Sequence, residues 1–153
     1  MTTLTPKESS LLKDLRKQES ICVEKYQKYA REACDSQLTG LFNQIAQTEQ
    51  EHMNTLDQIM SGTVPQMSSS GGGQQKQQTA FSASSCSAAE KQQDQFLCND
   101  ALSTEKFVSA DYNTCIFEFR DPQIRSALNH IQKEEQEHGE QIYNYMAKNG
   151  MYQ

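Results

Sequence analysis

Two glutamate–histidine pairs hold the residues most able to do chemistry in this chain. Glu49 stands three positions before His52, and Glu135 three before His138. That spacing puts a carboxylate and an imidazole on one face of a helix, where both can reach one ion. A further glutamate, Glu19 or Glu105, lies upstream of each pair by the same 30 residues (49 − 19 and 135 − 105). Carboxylates supply charge and bridging oxygens, and neutral imidazole suits iron or manganese. The set therefore reads as the ligands of two metal ions. Glu19 and Glu105 would be terminal ligands, Glu49 and Glu135 bridges, and His52 and His138 would each add one imidazole. Two iron or manganese ions are the expected cofactors, with zinc also compatible.

The two sets are copies. Glu49-Gln50-Glu51-His52 returns as Glu135-Gln136-Glu137-His138, a shift of 86 residues (138 − 52). The same shift lays Tyr26 on Tyr112, Asp35 on Asp121 and Ile45 on Ile131. A repeat of this length copies a supersecondary unit, here a pair of helices.

The elements that carry the sets follow from apolar periodicity. A first helix over 8–33 aligns Leu12, Leu15, Glu19, Cys22, Tyr26, Tyr29 and Ala33. Asp35 then caps a second helix over about 37–60, whose inward face holds Leu38, Leu41, Phe42, Ile45, Glu49, His52, Leu56 and Ile59. A third over about 91–119 repeats the first face with Cys98, Ala101, Glu105, Val108, Tyr112, Cys115 and Phe119. Asp121 and Pro122 open a fourth over about 122–148, and Gly150 stops it. Between the hairpins, residues 61–90 are rich in Ser, Gly and Gln without an apolar period, which predicts a flexible linker. Short turns within each pair and one long crossover between them predict a ferritin-like all-α four-helix bundle. The expected organisation is a single domain over 1–153: a first hairpin over 8–60, the linker, and a second hairpin over 91–149. The second and third helices should run parallel.

The levels of the ligands agree with this arrangement. In an antiparallel hairpin, residues at one height lie symmetrically about the turn. The midpoint of Glu19 and Glu49 is 34, beside the turn at 35–36; that of Glu105 and Glu135 is 120, at the turn. Glu24 is a rival to Glu19, but it sits among Lys17, Lys28 and Arg31 and its counterpart is Ala110. Repetition alone does not prove ligation, because Glu32/Glu118 and Glu51/Glu137 also match and have no metal role. Four carboxylates buried without a cation would cost several kcal/mol each. Three readings follow for the six residues: a metal site, a buried hydrogen-bonded polar layer, or a face that is not buried at all. Tyr26 and Tyr112 read as core aromatics with satisfied hydroxyls, and His130 as a solvent-side residue.

Composition narrows the class. At 153 residues the chain can bury a substantial core. Its formal net charge of −6, without a Lys/Arg block, speaks against nucleic acid and anionic membrane surfaces as partners. No apolar run suits a membrane span and no secretory leader is legible, so a soluble protein made in a cytoplasm is expected. The five cysteines, Cys22, Cys34, Cys86, Cys98 and Cys115, form no Cys-x-x-Cys. They read as small, buried or half-buried side chains in a reducing compartment, with Cys86 in the linker the candidate for intermolecular crosslinking after oxidation.

The second half carries a family resemblance. Thr104-Glu105-Lys106, Tyr112-Asn113, Ile116-Phe117-Glu118, Asp121-Pro122, the Glu-Glu-Gln-Glu-His-Gly of 134–139, Ile142-Tyr143-Asn144-Tyr145-Met146 and the closing Gly150-Met151-Tyr152 resemble the spore coat protein F family over about 98–153. The first hairpin reads as a more diverged copy, with Asp35-Ser36 in place of the Asp-Pro turn. The resemblance implies a ferritin-like domain made in the mother-cell cytoplasm and deposited in the spore coat, partnered by other coat proteins or by itself. It implies no established enzymatic activity. The six residues are similar to the Glu plus Glu-x-x-His di-iron pattern of rubrerythrins and bacterioferritins, although the 30-residue separation is shorter than is usual there. Without a Cys-x-x-Cys module, a rubrerythrin-type electron-transfer chain is not supported. Two functions stand from the sequence: a structural coat component, or a di-iron or di-manganese oxidase or peroxidase.

Overall fold

In the computed structural model, which describes residues 3–67 and 80–152, the chain forms four helices and, among the described residues, no strand. They are α1 (Pro6–Glu32), α2 (Ser36–Met60), α3 (Ala88–Ile116) and α4 (Pro122–Lys148). Each begins where a side chain accepts the free amide protons of the first turn. Thr5 with Glu8 and Ser87 with Glu90 build capping boxes for α1 and α3. These boxes start both helices slightly earlier than apolar periodicity alone predicts. Asp35 and Asp121 cap α2 and α4 by accepting from Gln37 N and Gln123 N. The third helix also ends earlier than expected, at Ile116. Phe119 is buried but lies beyond it, and the Arg125 guanidinium bonds the carbonyls of Phe119 and Arg120. Gly150 takes a left-handed φ of 66°, which an L side chain rarely adopts.

The helices pack as a square in which α1 touches α2 and α3, and α4 touches α2 and α3. The α1–α2 interface is more extensive than the α3–α4 one. Contact order along the helices fixes their directions. Lys25 pairs with Asp100, Tyr26 with Glu105 and Glu19 with Tyr112, so α1 and α3 run oppositely. His52 meets Glu135 while Glu49 meets His138, so α2 and α4 do too. With each hairpin antiparallel, α2 and α3 run parallel along one diagonal.

The core is continuous through the square. Leu12, Leu15, Tyr26, Phe42, Ile45 and Leu56 from the first hairpin meet Val108, Tyr112, Ile124, Leu128, Ile131 and Ile142 from the second. Tyr29 and Ala33, expected on the inward face, are only half-buried. The Tyr29 hydroxyl bonds Asp100 Oδ2 at 2.6 Å near the surface.

Part of the segment expected to be a linker is held against the bundle. Its residues 68–79 lie outside the described residues. Phe81 sets its ring edge-on to Tyr145, with centroids 5.4 Å apart. Ser82 N donates to Gln37 Oε1 and Ser84 N to Asn149 Oδ1. Cys86 forms a disulfide with Cys34, which stands just after α1. The bond gives Cys86 a partner within the chain in place of the intermolecular crosslink expected of it, and removes Cys34 from the free thiols, because the segment before α3 folds back on the first turn. The remaining cysteines, Cys22, Cys98 and Cys115, are free and buried. Among the described residues, no helix is long and apolar enough to cross a membrane.

Candidate metal centre

Each of the six candidate residues sits at an inward position of its helix, where the apolar period brings it to the bundle axis. All are buried: Glu19, Glu49 and Glu135 are 0% exposed, His52 2%, Glu105 3% and His138 5%. They come together in two overlapping groups. Glu19, Glu49, His52 and Glu135 form one, and Glu49, Glu105, Glu135 and His138 the other, with the ligand atoms of each group within 4.8 Å of one another. Glu49 and Glu135 belong to both, the positions that bridging ligands would hold. The rival Glu24 is exposed. So are Glu32, Glu51 and Glu118, while Glu137 is half-buried, so the other repeated glutamates stay outside the cluster.

Both imidazoles turn Nδ1 toward the carboxylates. His52 Nδ1 lies 3.1 Å from Glu49 Oε2 and 3.1 Å from Glu135 Oε1. His138 Nδ1 lies 3.3 Å from Glu49 Oε1, 3.6 Å from Glu135 Oε2 and 3.7 Å from Glu105 Oε1. The ring centroids are 6.1 Å apart.

The cluster is held by tyrosines that cross between hairpins. Tyr26 on α1 donates to Glu105 Oε1 on α3, and Tyr112 on α3 donates to Glu19 Oε1 on α1, each at 2.5 Å. The two bonds exchange under the 86-residue shift. Glu134 is a contact the sequence reading missed. Its Oε1 is 3.4 Å from His52 Nε2 and 3.0 Å from His130 Nε2, so the solvent-side His130 reaches the cluster through one carboxylate. Its sequence signal was the four-residue step from His130 to Glu134.

Electrostatics show what this packing costs. Burial pushes the Glu49 carboxyl up to about 7, reinforced by Glu19 beside it. Burial pushes Glu105 up to about 8, with Glu135 adding to the shift and His138 opposing it. Burial works against ionised Glu135 as well, but the neighbouring Glu105, His138 and His52 outweigh it and hold its pKa below the usual carboxylate value. Burial disfavours both imidazolium ions, yet the surrounding carboxylates raise His52 and His138 well above the usual range. Both tyrosine hydroxyls are driven up, by burial first and then by the adjoining glutamates, so they remain donors.

The hydrogen bonding is incomplete in one place. Among the described residues, the buried side-chain atoms without a well-aligned hydrogen-bond partner are Glu19 Oε2, Glu49 Oε1, Glu105 Oε2, Glu135 Oε2 and His138 Nδ1, the last facing Glu49 Oε1 at 3.3 Å. All belong to the cluster, and all are electron-pair donors when the carboxyls are ionised and the imidazole neutral. Native proteins rarely leave buried polar atoms unpaired, so a concentration of them in one spot asks for a partner.

No curated protein and no solved structure matches the chain. Residues 93–153, which hold most of α3 and all of α4, match the family model of the Coat F domain, which supports the spore-coat resemblance for the second hairpin.

Proposed function

We propose that the chain is a structural spore-coat component of the coat protein F type, built on a ferritin-like bundle whose centre holds two divalent metal ions. The coat assignment is supported by the Coat F match over 93–153. Assembly with copies of itself or other coat proteins is supported by large apolar side chains on the outside of the matched region. Phe96, Phe107 and Phe117 are 68%, 63% and 90% exposed, apolar side chains available to a partner. On this reading the protein is made in the mother-cell cytoplasm and then joins the coat.

The observation that carries the metal reading is the set of unpartnered buried donor atoms shared among Glu19, Glu49, Glu105, Glu135 and His138. Glu19 and His52 would serve one ion, Glu105 and His138 the other, with Glu49 and Glu135 common to both. Charge supports the assignment, because four carboxylates balance two divalent cations when both imidazoles are neutral. Iron and manganese suit this oxygen-rich donor set with one imidazole per ion, and zinc tolerates it. The role assigned to the ions is that of a staple that neutralises the buried charge.

Metal analysis of the freshly purified protein, beside Glu49→Ala and His138→Ala, tests this. Two ions per chain are expected in the wild type, and thermal unfolding should shift upward when metal is added to the apo protein. At a hundredfold excess over Kd the added stability is about 2.7 kcal/mol, and both variants should lose most of it. A wild type that takes up no iron, manganese or zinc after reconstitution overturns the metal reading. Extracted coats in which the protein appears only as a free monomer overturn the coat reading.

A further inference from the structure

A site with every ligand at most 5% exposed needs an entry path. The surface between α3 and α4 offers one. A groove of about 510 Å³ opens there, and the buried carboxylates Glu105 and Glu135 are among its lining residues. Its walls include Leu102, Ser109, Ala110 and Gly139, while Lys106 and Gln132 are among its polar residues. A divalent ion with a shell of six waters needs roughly 200 Å³, taking about 30 Å³ per water, so the groove has room for it hydrated. A second opening, beside His138 between α2 and α4, is far smaller. Its volume of about 10 Å³, lined by Thr48 and Gln141 among others, holds no more than about one water.

The repeat explains why this side is open. The 86-residue shift lays Ser109 on Val23, Gln132 on Ala46 and Gly139 on Met53. In the first hairpin Val23 and Ala46 are buried, at 8% and 5% exposure, and Met53 is half-buried. Their counterparts Ser109 and Gln132 are only half-buried, and Gly139, half-buried like Met53, has no side chain to fill the space. The second copy thus carries a hydroxyl, an amide and a missing side chain where the first carries apolar packing. Gln132 Nε2 bonds the Ser109 carbonyl at 2.9 Å, tying α4 to α3 across the groove with a polar link.

We infer that the groove between α3 and α4 is the port through which a hydrated divalent ion reaches and leaves the buried cluster, opened in the second hairpin by Gly139 in place of the first hairpin's Met53. This rests on the metal reading above and adds the route to it. Lys106 stands at this port as a positive charge that slows cation entry.

Gly139→Met restores the side chain of the first copy and should plug the port. The variant is expected to fold, because a Cβ at Gly139 meets only Leu102 Cδ1 at 3.8 Å, an ordinary contact, and methionine is the better helix former. Zinc uptake by the apo protein is followed by stopped flow, release by transfer to a chromophoric chelator, and Kd by competition. Gly139→Met should slow uptake and release together by about tenfold, since the side chain must swing aside, and leave Kd within about twofold. Lys106→Glu should speed uptake severalfold at low salt, a gain lost at high salt. Uptake by Gly139→Met at the wild-type rate overturns the port, as does slower uptake with unchanged release, which would be a loss of affinity. Slowing by a Thr48→Leu variant in place of Gly139→Met would move the route to the second opening and overturn it too. A wild type that binds no zinc, iron or manganese removes the metal reading itself, and stoichiometry alone reveals that case.

Discussion

Tyr26 and Tyr112 show how much one hydroxyl depends on the opposite hairpin. Each is fully buried, and each donates to a glutamate that the other hairpin supplies. Their match across the repeat was visible in the sequence. Their acceptors were not, because the level at which α1 meets α3 is set by packing between hairpins. In the metal-free protein, Tyr26→Phe strips Glu105 Oε1 of its donor and Tyr112→Phe does the same to Glu19 Oε1. Each substitution should cost about 1–3 kcal/mol in urea unfolding, the penalty of an unsatisfied buried acceptor. If only one of the two destabilises, the reciprocal roles assigned to them are wrong.

At the scale of the elements, two buried acids join each hairpin to the turn of the other. Asp94 on α3 accepts from the backbone amides of Cys34 and Asp35 at 2.9 and 3.1 Å. Glu8 on α1 accepts from the backbone amide of Arg120 at 3.0 Å, and from Thr5 in its capping box. Glu8 and Asp94 are related by the 86-residue shift, as are Cys34 and Arg120. The pairing was therefore latent in the repeat, but polar residues near a helix start read first as surface and caps. Asp94→Ala should cost about 2–4 kcal/mol, because two amides lose a charged acceptor. Glu8 supplies a pH signature. Burial would raise its carboxyl, but hydrogen bonds from Arg120 and Thr5 outweigh that and lower it from 4.5 to about 2. A depressed folded value means the stabilisation is fully present above pH 4.5 and is lost as pH falls toward 2. Wild type should exceed Glu8→Gln by about 1–2 kcal/mol at pH 7, with the exposed Arg120 guanidinium adding little, and the gap should close across that acid range. A gap that is the same at pH 7 and pH 2.5 would remove the ionised carboxylate as its cause.

Across the whole molecule, the Cys34–Cys86 disulfide ties the start of the second hairpin to the first turn. It closes a sequence separation of 52 residues, and chain entropy alone gives such a loop about 4 kcal/mol. Peptide mapping without reductant should recover the Cys34 and Cys86 peptides joined. Cys34→Ser should lower stability by up to about 4 kcal/mol under oxidising conditions and by little in strong reductant. Equal destabilisation in both conditions would mean that the thiols act through packing instead. Odd cysteine number and absent Cys-x-x-Cys gave no hint of the pair, because a disulfide needs proximity that sequence spacing does not report.

The sequence by itself determined the helices and their inward faces, because apolar period and capping residues are local. It also determined which glutamates and histidines share a helix face, because residues three apart turn inward together. The 86-residue repeat marked which features come in twos. The tertiary structure decided that the faces converge on one centre, that hydroxyls and buried acids bond across hairpins, and that one copy is open where the other is packed. Those outcomes depend on the relative height and spacing of helices far apart in the chain, which side-chain volumes set only when all four are assembled.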